Sequence, residues 1–419
     1  MNPPKFTIII PTRERCDTLA AALKTCVTQD YDDLEIIVSD NLSQDDTFEV
    51  VRSYRDKRIR YLNTGQRVGM STNWEFALSH VSEGYVTFIG DDDGLLPGAV
   101  PRIAETLDTS GMPSAFAWGR AVYCWPSYPS PSRRNTLFFH TDHRLLKLQA
   151  AEWLTQLSLY QCPWASLPSV YNSFINLQII NEVKQRGNGR FFNSAIPDVY
   201  SAIAIACVID TYYFSMRPYA VAGLSRHSTG NSFSNLQVDA RPAQRFLTEN
   251  EIPIHPQVVM SSLSTICATE CLLQARDVGL TPPNLSIDLK RLIKAALLEA
   301  SEEPAEEYPA ILESLRQIGA KNGLESYVED AIAGAMHSPA IQGKPLSARD
   351  LRRHGMVFNC NDFGINDVYD ATLLCEQALT STDHFTYLFP IGTLRLTAQS
   401  YLPFVRKRMR KLLRRLSTP

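Results

Sequence analysis

The stretch KFTIIIP (5–11) is an unbroken run of apolar and β-branched residues, the pattern of a strand buried on both faces of a parallel sheet. DTLAAALKTCVTQ (17–29) follows with helical spacing of Leu19, Leu23 and Val27, and Asp17 is placed as its N-cap. The alternation then repeats. LEIIVSD (34–40), IRYLN (59–63) and YVTFIG (85–90) read as strands, and TFEVVRSYR (47–55), MSTNWEFALSHV (70–81) and GAVPRIAETLD (98–108) as helices. Strand–helix alternation of this kind predicts βαβ units with right-handed crossovers and an open α/β sheet. SAFAWGRAVY (114–123) reads as one further strand, and the Pro/Ser-rich residues 124–140 as an exposed excursion.

Beyond residue 140 the pattern loosens, with helical stretches at 150–160 and 199–209 and a Gly/Asn turn at 186–190. After about residue 240 it becomes helical, in 258–279, 288–303 and 307–323. The pattern therefore divides the chain into a sheet domain over 1–235, a helical region over 240–395 and a tail over 398–419. No internal repeat is visible.

Open α/β sheets bind ligands beyond the carboxyl ends of their strands. The polar clusters PTRER, SDNLSQDD and GDDDG fall there, after the first, second and fourth strands. Asp91, Asp92 and Asp93 follow a buried strand without a spacer. Carboxylates this close raise one another's pKa unless a cation neutralises them. Mg2+ suits one or two carboxylates completed by substrate phosphates, which implies a metal-bound diphosphate and hence a nucleotide. Asp40 is placed to accept from a base N–H or a ribose hydroxyl. Pro11 and Thr12 present backbone groups to a base edge, and Arg13, Arg15 and Arg67 are cations within reach of phosphates. Neither G-x-x-x-x-G-K-[ST] nor G-x-G-x-x-G occurs, which removes support for a P-loop NTPase or a Rossmann dehydrogenase.

Composition changes little. The 419 residues are 44% hydrophobic and 20% charged, ordinary for a globular chain, and a net charge of −3 argues against a dedicated nucleic-acid binder. Nine cysteines with no C-x-x-C pair fit reduced thiols in a cytosolic setting rather than a zinc site. The N-terminus has no signal-peptide pattern, and no run of about 18 apolar residues predicts a membrane span.

FTIIIPTRERCDTLAAALKTCVTQDYDDLEIIVSDNLSQDDT, followed by NTGQRVGMSTNWEFALSHVSEGYVTFIGDDDGLLPG, resembles the family 2 glycosyltransferases of GT-A fold, over about residues 5–235. The resemblance implies a nucleotide-diphospho-sugar donor, Mg2+ or Mn2+ at a D-x-D-type motif, and transfer with inversion. It assigns Pro11, Thr12 and Asp40 to the nucleoside. Asp92, with Asp93, goes to the metal, and Asp91 or Asp93 to ribose or sugar hydroxyls. The usual D-x-D-D pattern is broken by Gly90. The family's general base, an acid at a helix start, maps onto Asp198 in NSAIPDVYSAIAIA, behind Pro197. GLSRHSTGNSFS (223–234) reads as a mobile Gly/Ser-rich loop. Within it, His227 would add a metal ligand and Arg226 would meet the leaving diphosphate. Trp74, Trp118 and Trp164 are sugar-stacking candidates for which core packing is the simpler role.

In the tail, seven of the ten residues from Arg406 to Arg415 are Lys or Arg, and Leu402, Val405, Met409, Leu412, Leu413 and Leu416 recur at helical spacing. A basic amphipathic helix of this shape reads as a membrane-surface segment or a docking helix. The reading is thus an inverting, metal-dependent glycosyltransferase, with a glycan or lipid-linked acceptor and a setting in bacterial surface-polysaccharide (O-antigen or capsule) synthesis. It would be cytoplasmic, peripheral on the inner face of the membrane. A sugar-phosphate nucleotidyltransferase and a non-catalytic nucleotide-sugar-binding scaffold are the alternatives.

Overall fold

The computed structural model describes residues 3–228 and 241–386, apart from 302, 304, 306 and 336–354. The tail over 398–419 lies outside the described residues.

Strands β1 (Phe6–Thr12), β2 (Leu34–Asp40), β3 (Ile59–Asn63) and β4 (Tyr85–Phe88) pair in parallel, in the order β3-β2-β1-β4. Helices α1 (Cys16–Val27), α2 (Thr47–Ser53) and α3 (Met70–Leu78) connect them. Successive side chains of β1 enter different cores. Ile8 and Ile10 pack with α1, whereas Ile9 packs with Trp74 and Ala77 of α3, so neither face meets water. The sheet continues past β4 through β10 (Ser173–Asn176), β6 (Ala115–Trp118), β11 (Thr211–Ser215) and β9 (Leu145–Gln149), with β10 antiparallel to both its neighbours. This is the α/β open sheet that the alternating pattern predicts.

A second, five-stranded sheet has the order β13-β8-β7-β12-β5. It contains β5 (Gly94–Leu95), β7 (Ala121–Cys124), β8 (Thr136–His140), β12 (Ala220–Leu224) and β13 (Gly355–Asn359). Two expectations are corrected here. Residues 114–123 form two strands rather than one, β6 in the large sheet and β7 in the small one, with the chain changing sheets at Gly119 and Arg120. Residues 124–140 are not simply an exposed excursion: Trp125, Tyr128, Leu137 and Phe139 are buried, because β8 pairs with β7 and β13.

Helices α4 (Ala99–Thr109), α5 (Ala150–Ser158), α6 (Leu177–Arg186) and α7 (Pro197–Ala206) complete the sheet layers. Next come α8 (Arg241–Glu249), α9 (Ser264–Asp277), α10 (Leu289–Ala300), α11 (Tyr308–Asn322) and α12 (Glu325–Ala333). The last three share a separate core with one side of α9 through Ile266, Ile293, Ile311 and Leu315. Ala268, Cys271 and Leu272 on the other side of α9 join the sheet core. A helix buried on both sides needs no polar face, which explains the weak amphipathicity of α9. Strand β13 and helix α13 (Val368–Thr386) then return to the first core, where Val368, Ala371, Leu374 and Cys375 are buried. The strand at 355–359 falls within the span read as helical from the sequence.

Candidate active site

In the order β3-β2-β1-β4 the connections run to one side from β1 to β3 and to the other side at β4. A crevice therefore opens between the carboxyl ends of β1 and β4. Thr12 ends β1 and Asp91 follows β4, and the Thr12 hydroxyl donates to Asp91 Oδ2 at 2.7 Å across that crevice. Arg15 Nη1 donates to Asp91 Oδ1 at 2.8 Å, and Nη2 donates to the His227 carbonyl. The chain turns two residues past β1 and two past β2, at Glu14 (φ 53°) and Leu42 (φ 54°). Both hold the left-handed backbone that non-glycine residues rarely adopt. The two loops are sewn together by Glu14 N–H to Ser43 Oγ, 2.9 Å, and Gln44 N–H to Glu14 Oε1, 3.1 Å.

Asp91, Asp92 and Asp93 are 2%, 4% and 4% exposed. Asp92 Oδ2 accepts from the hydroxyls of Ser225 and Ser228, both at 2.7 Å, and from Ser225 N–H at 3.3 Å. Its carbonyl accepts from Trp125 Nε1 at 2.9 Å. Asp93 accepts from Gly90 N–H and Gly223 N–H, both at 2.7 Å. Burial first, then the neighbouring Asp92, pushes the Asp93 carboxyl up to about 7, although Tyr171 and the two backbone N–H groups favour its charge. Burial also raises Asp91, which Arg15 opposes and Asp92 reinforces. For Arg15 burial disfavours the charge, but Asp91 and Asp92 more than offset it and its pKa rises.

Gly90, which breaks the D-x-D-D pattern, has a steric reason. A Cβ there would stand 2.7 Å from the Tyr171 hydroxyl and 3.0 Å from Asp93 Oδ2. Any side chain at 90 displaces Tyr171 or Asp93. Gly223 is tighter still, since its Cβ would lie 1.7 Å from the Asp92 carbonyl oxygen.

The remaining sequence candidates are placed as follows. Asp40, 2% exposed, accepts from Ser43 N–H at 2.9 Å and from the Tyr61 hydroxyl at 2.6 Å, so its carboxylate is fixed at the tip of β2. Pro11 lies beside Ser39 on the paired strands. Arg13 pairs with Glu249 and Arg67 with Glu14, so both cations have acidic partners of their own. His227 accepts from Arg226 Nε at 2.7 Å through Nε2, and burial, then Arg226 and Arg15, lower its pKa. Arg226 itself is exposed, 3.9 Å from Asp17. Trp74 stacks on Phe88 at 4.6 Å and Trp118 is fully buried, which is core packing for both. Among the described residues no three of His, Cys, Asp and Glu are arranged to enclose a metal.

Asp198 is the second residue of α7, directly after Pro197. Burial raises its pKa and Arg120 partly offsets the rise. Arg120 lies over the rings of Trp164, at 5.1 Å, and Tyr171, at 5.7 Å. Thus Tyr171 and Arg120 link the triad to Asp198. Sequence reasoning missed both, along with Ser225, Ser228, Gly223 and Trp125. The serines flank the two residues chosen from SRHS, and a hydroxyl on each side of a turn was the available signal.

Residues 7–160 match the model of a family described as Glycosyl transferase family 2. The chain is 43% identical over 105 residues to a GalNAc(5)-diNAcBac-PP-undecaprenol beta-1,3-glucosyltransferase of Campylobacter jejuni, covering 24% of this chain and 34% of the relative. It is 30% identical over 87 residues to the UDP-Glc:alpha-D-GlcNAc-diphosphoundecaprenol beta-1,3-glucosyltransferase WfaP of Escherichia coli, covering 21% and 35%. The chain thus spans about a third of the length of these curated relatives. A crystal structure of S. aureus TarS 1-349 is similar at a TM-score of 0.42 and 14% identity, over 78% of this chain and 91% of that one. By the family match, residues 7–160 form a family 2 glycosyltransferase domain.

Proposed function

We propose that the chain is an inverting glycosyltransferase. It moves a sugar from a nucleotide-diphospho-sugar to a hydroxyl of a lipid-linked glycan acceptor, in the assembly of a bacterial surface polysaccharide. The observation that carries this reading is the buried triad at the switch point. Three adjacent buried carboxylates stand at the crevice, and Arg15 is ion-paired with the first of them, Asp91. The names of the two bacterial relatives, both acting on undecaprenol-linked diphosphates, support the acceptor class.

The triad fits a divalent cation that arrives with the donor. Asp92 Oδ2 takes three hydrogen bonds, whereas Oδ1 takes none among the described residues. One such oxygen, completed by diphosphate oxygens, is the ligand set Mg2+ or Mn2+ accepts. Asp93, held by Gly90 and Gly223, is the second candidate. His227 would need to release Arg226 to offer Nε2. When bound, the metal supplies positive charge opposite the departing diphosphate.

This chain's own residues do the rest. Thr12 and Arg15 hold Asp91 in place, and Asp40 presents a fixed carboxylate toward the nucleoside. Asp198 takes the proton from the attacking acceptor hydroxyl. Burial makes its carboxylate a stronger base than an exposed one. The basic tail over 398–419 would dock on an anionic leaflet, each basic residue contributing about 1 kcal/mol. Such docking would keep the enzyme peripheral at the cytoplasmic face. No helix among the described residues is long and apolar enough to cross a membrane.

The test is transfer itself. A panel of nucleotide sugars is incubated with the protein, Mn2+ and undecaprenyl-diphosphate-linked acceptors, and nucleoside diphosphate release is followed. One donor should be consumed in an acceptor-dependent way, with an inverted product. Release of pyrophosphate from nucleoside triphosphate and sugar phosphate would instead identify a nucleotidyltransferase. Donor binding with no turnover would identify a scaffold.

A further inference from the structure

Arg120 occupies the turn where the chain leaves β6 at Trp118 for β7 at Ala121. Its guanidinium is half-buried against two aromatic faces, Trp164 and Tyr171. Among the described residues none of its N–H groups donates a hydrogen bond, and no carboxylate lies within ion-pairing distance of it. The other cations of this rim differ. Arg15 is paired with Asp91, Arg13 with Glu249 and Arg67 with Glu14. A guanidinium carries five N–H donors in a planar fork that matches the oxygens of a phosphate or carboxylate. Flanking rings keep water off its faces and leave its edge as the binding surface.

The position of Arg120 tells which substrate it faces. Its charge favours the ionised form of Asp198, and its guanidinium lies 5.7 Å from the centre of the Tyr171 ring. The Tyr171 hydroxyl in turn lies against Gly90 and Asp93. Tyr171 therefore stands between Arg120 and the triad, and Arg120 belongs to the half of the cleft where Asp198 works. Among the described residues Cys267 and Cys271 of α9 also sense Asp198, and neither offers a positive charge.

We propose that Arg120 binds a phosphoryl oxyanion of the acceptor, so that the acceptor is a sugar carrying a phosphate or diphosphate close to the hydroxyl that reacts. This rests on the transferase reading with Asp198 on the acceptor side. A phosphoryl group reaches this cleft from two sources, the acceptor and the donor's departing diphosphate. The geometry points to the acceptor, because Tyr171 stands between Arg120 and the triad where the donor's diphosphate would sit.

The experiment uses the full chain and two acceptors with the same sugar, one linked to a lipid diphosphate and one an uncharged alkyl glycoside. Wild type should prefer the diphosphate-linked acceptor in kcat/KM by about ten- to a hundredfold, the range of a charge-assisted hydrogen-bonded contact. That preference should collapse in Arg120→Ala through a higher KM and recover in part in Arg120→Lys. The affinity for nucleoside diphosphate, measured by calorimetry on the same proteins, should not shift. Equal use of both acceptors by wild type overturns the proposal, as does a preference that survives in Arg120→Ala. A loss of nucleoside diphosphate affinity of similar size in Arg120→Ala also overturns it and assigns the oxyanion to the donor. Absence of transfer from every donor and acceptor defeats the transferase reading itself, a result distinct from these.

Discussion

Single residues decide whether the crevice works. Gly223 sits so close to the Asp92 carbonyl that a methyl group would need the triad's own backbone to move. It also donates its N–H to Asp93. Gly223→Ala should cost about 1–3 kcal/mol in urea denaturation and abolish metal-dependent diphosphate binding. A variant with unchanged binding would mean that the triad is not the donor site. Asp198 makes a prediction in pH. A base acts only when ionised, and burial raises this carboxyl above its ordinary 3.8. Transfer should therefore fall as pH drops through a value above 3.8, in proportion to the ionised fraction of Asp198. Asp198→Asn should remove that acid limb and lower kcat by about 10²–10⁴-fold at neutral pH, with donor KM little changed. An acid limb that persists in Asp198→Asn would assign the base elsewhere.

At the level of elements, α13 is the clearest case of a part placed far from where the chain order would put it. Glu376 on this helix accepts from Arg217 at 2.9 and 3.0 Å and from Arg102 at 3.1 Å, and it is only 17% exposed. Val368 and Thr372 wedge against Gly94, immediately after the triad. Glu376→Ala should lower the unfolding free energy by about 1–3 kcal/mol, leaving two partly buried guanidinium groups without their shared partner. An unchanged urea midpoint would show that the helix is held by its apolar face alone. The same element shows what could be read from the sequence. Strands β1, β2 and β4 were legible because both faces of the sheet are covered there and the apolar runs are nearly continuous. Strands β7 and β8, with only four and five residues beside Pro and Ser, carry no periodic signal of their own. Their burial depends on β12, β13 and α13, which come from distant parts of the chain. Asp91–Asp93 stood out by composition. Tyr171 and Arg120 did not, since a lone Tyr and a lone Arg gain meaning only once folding sets them between the triad and Asp198.

Taken whole, the molecule places a family 2 glycosyltransferase domain against a helical core through α9, while its C-terminal strand and helix close the small sheet behind the triad. The acidic crevice and the basic tail separate charge within a chain whose net charge is only −3. The central claim is that the triad receives a metal-bound nucleoside diphosphate. Asp92→Asn is the sharpest variant, because its amide oxygen still accepts from Ser225 and Ser228 while its NH2 replaces the oxygen left for the metal. Calorimetric titration of nucleoside diphosphates into wild type and Asp92→Asn, with Mn2+ and with a chelator, is the most direct measurement. The account predicts that one diphosphate binds wild type only with Mn2+ and that Asp92→Asn loses this metal-dependent binding. Equal binding by both proteins, or binding indifferent to the chelator, would contradict it.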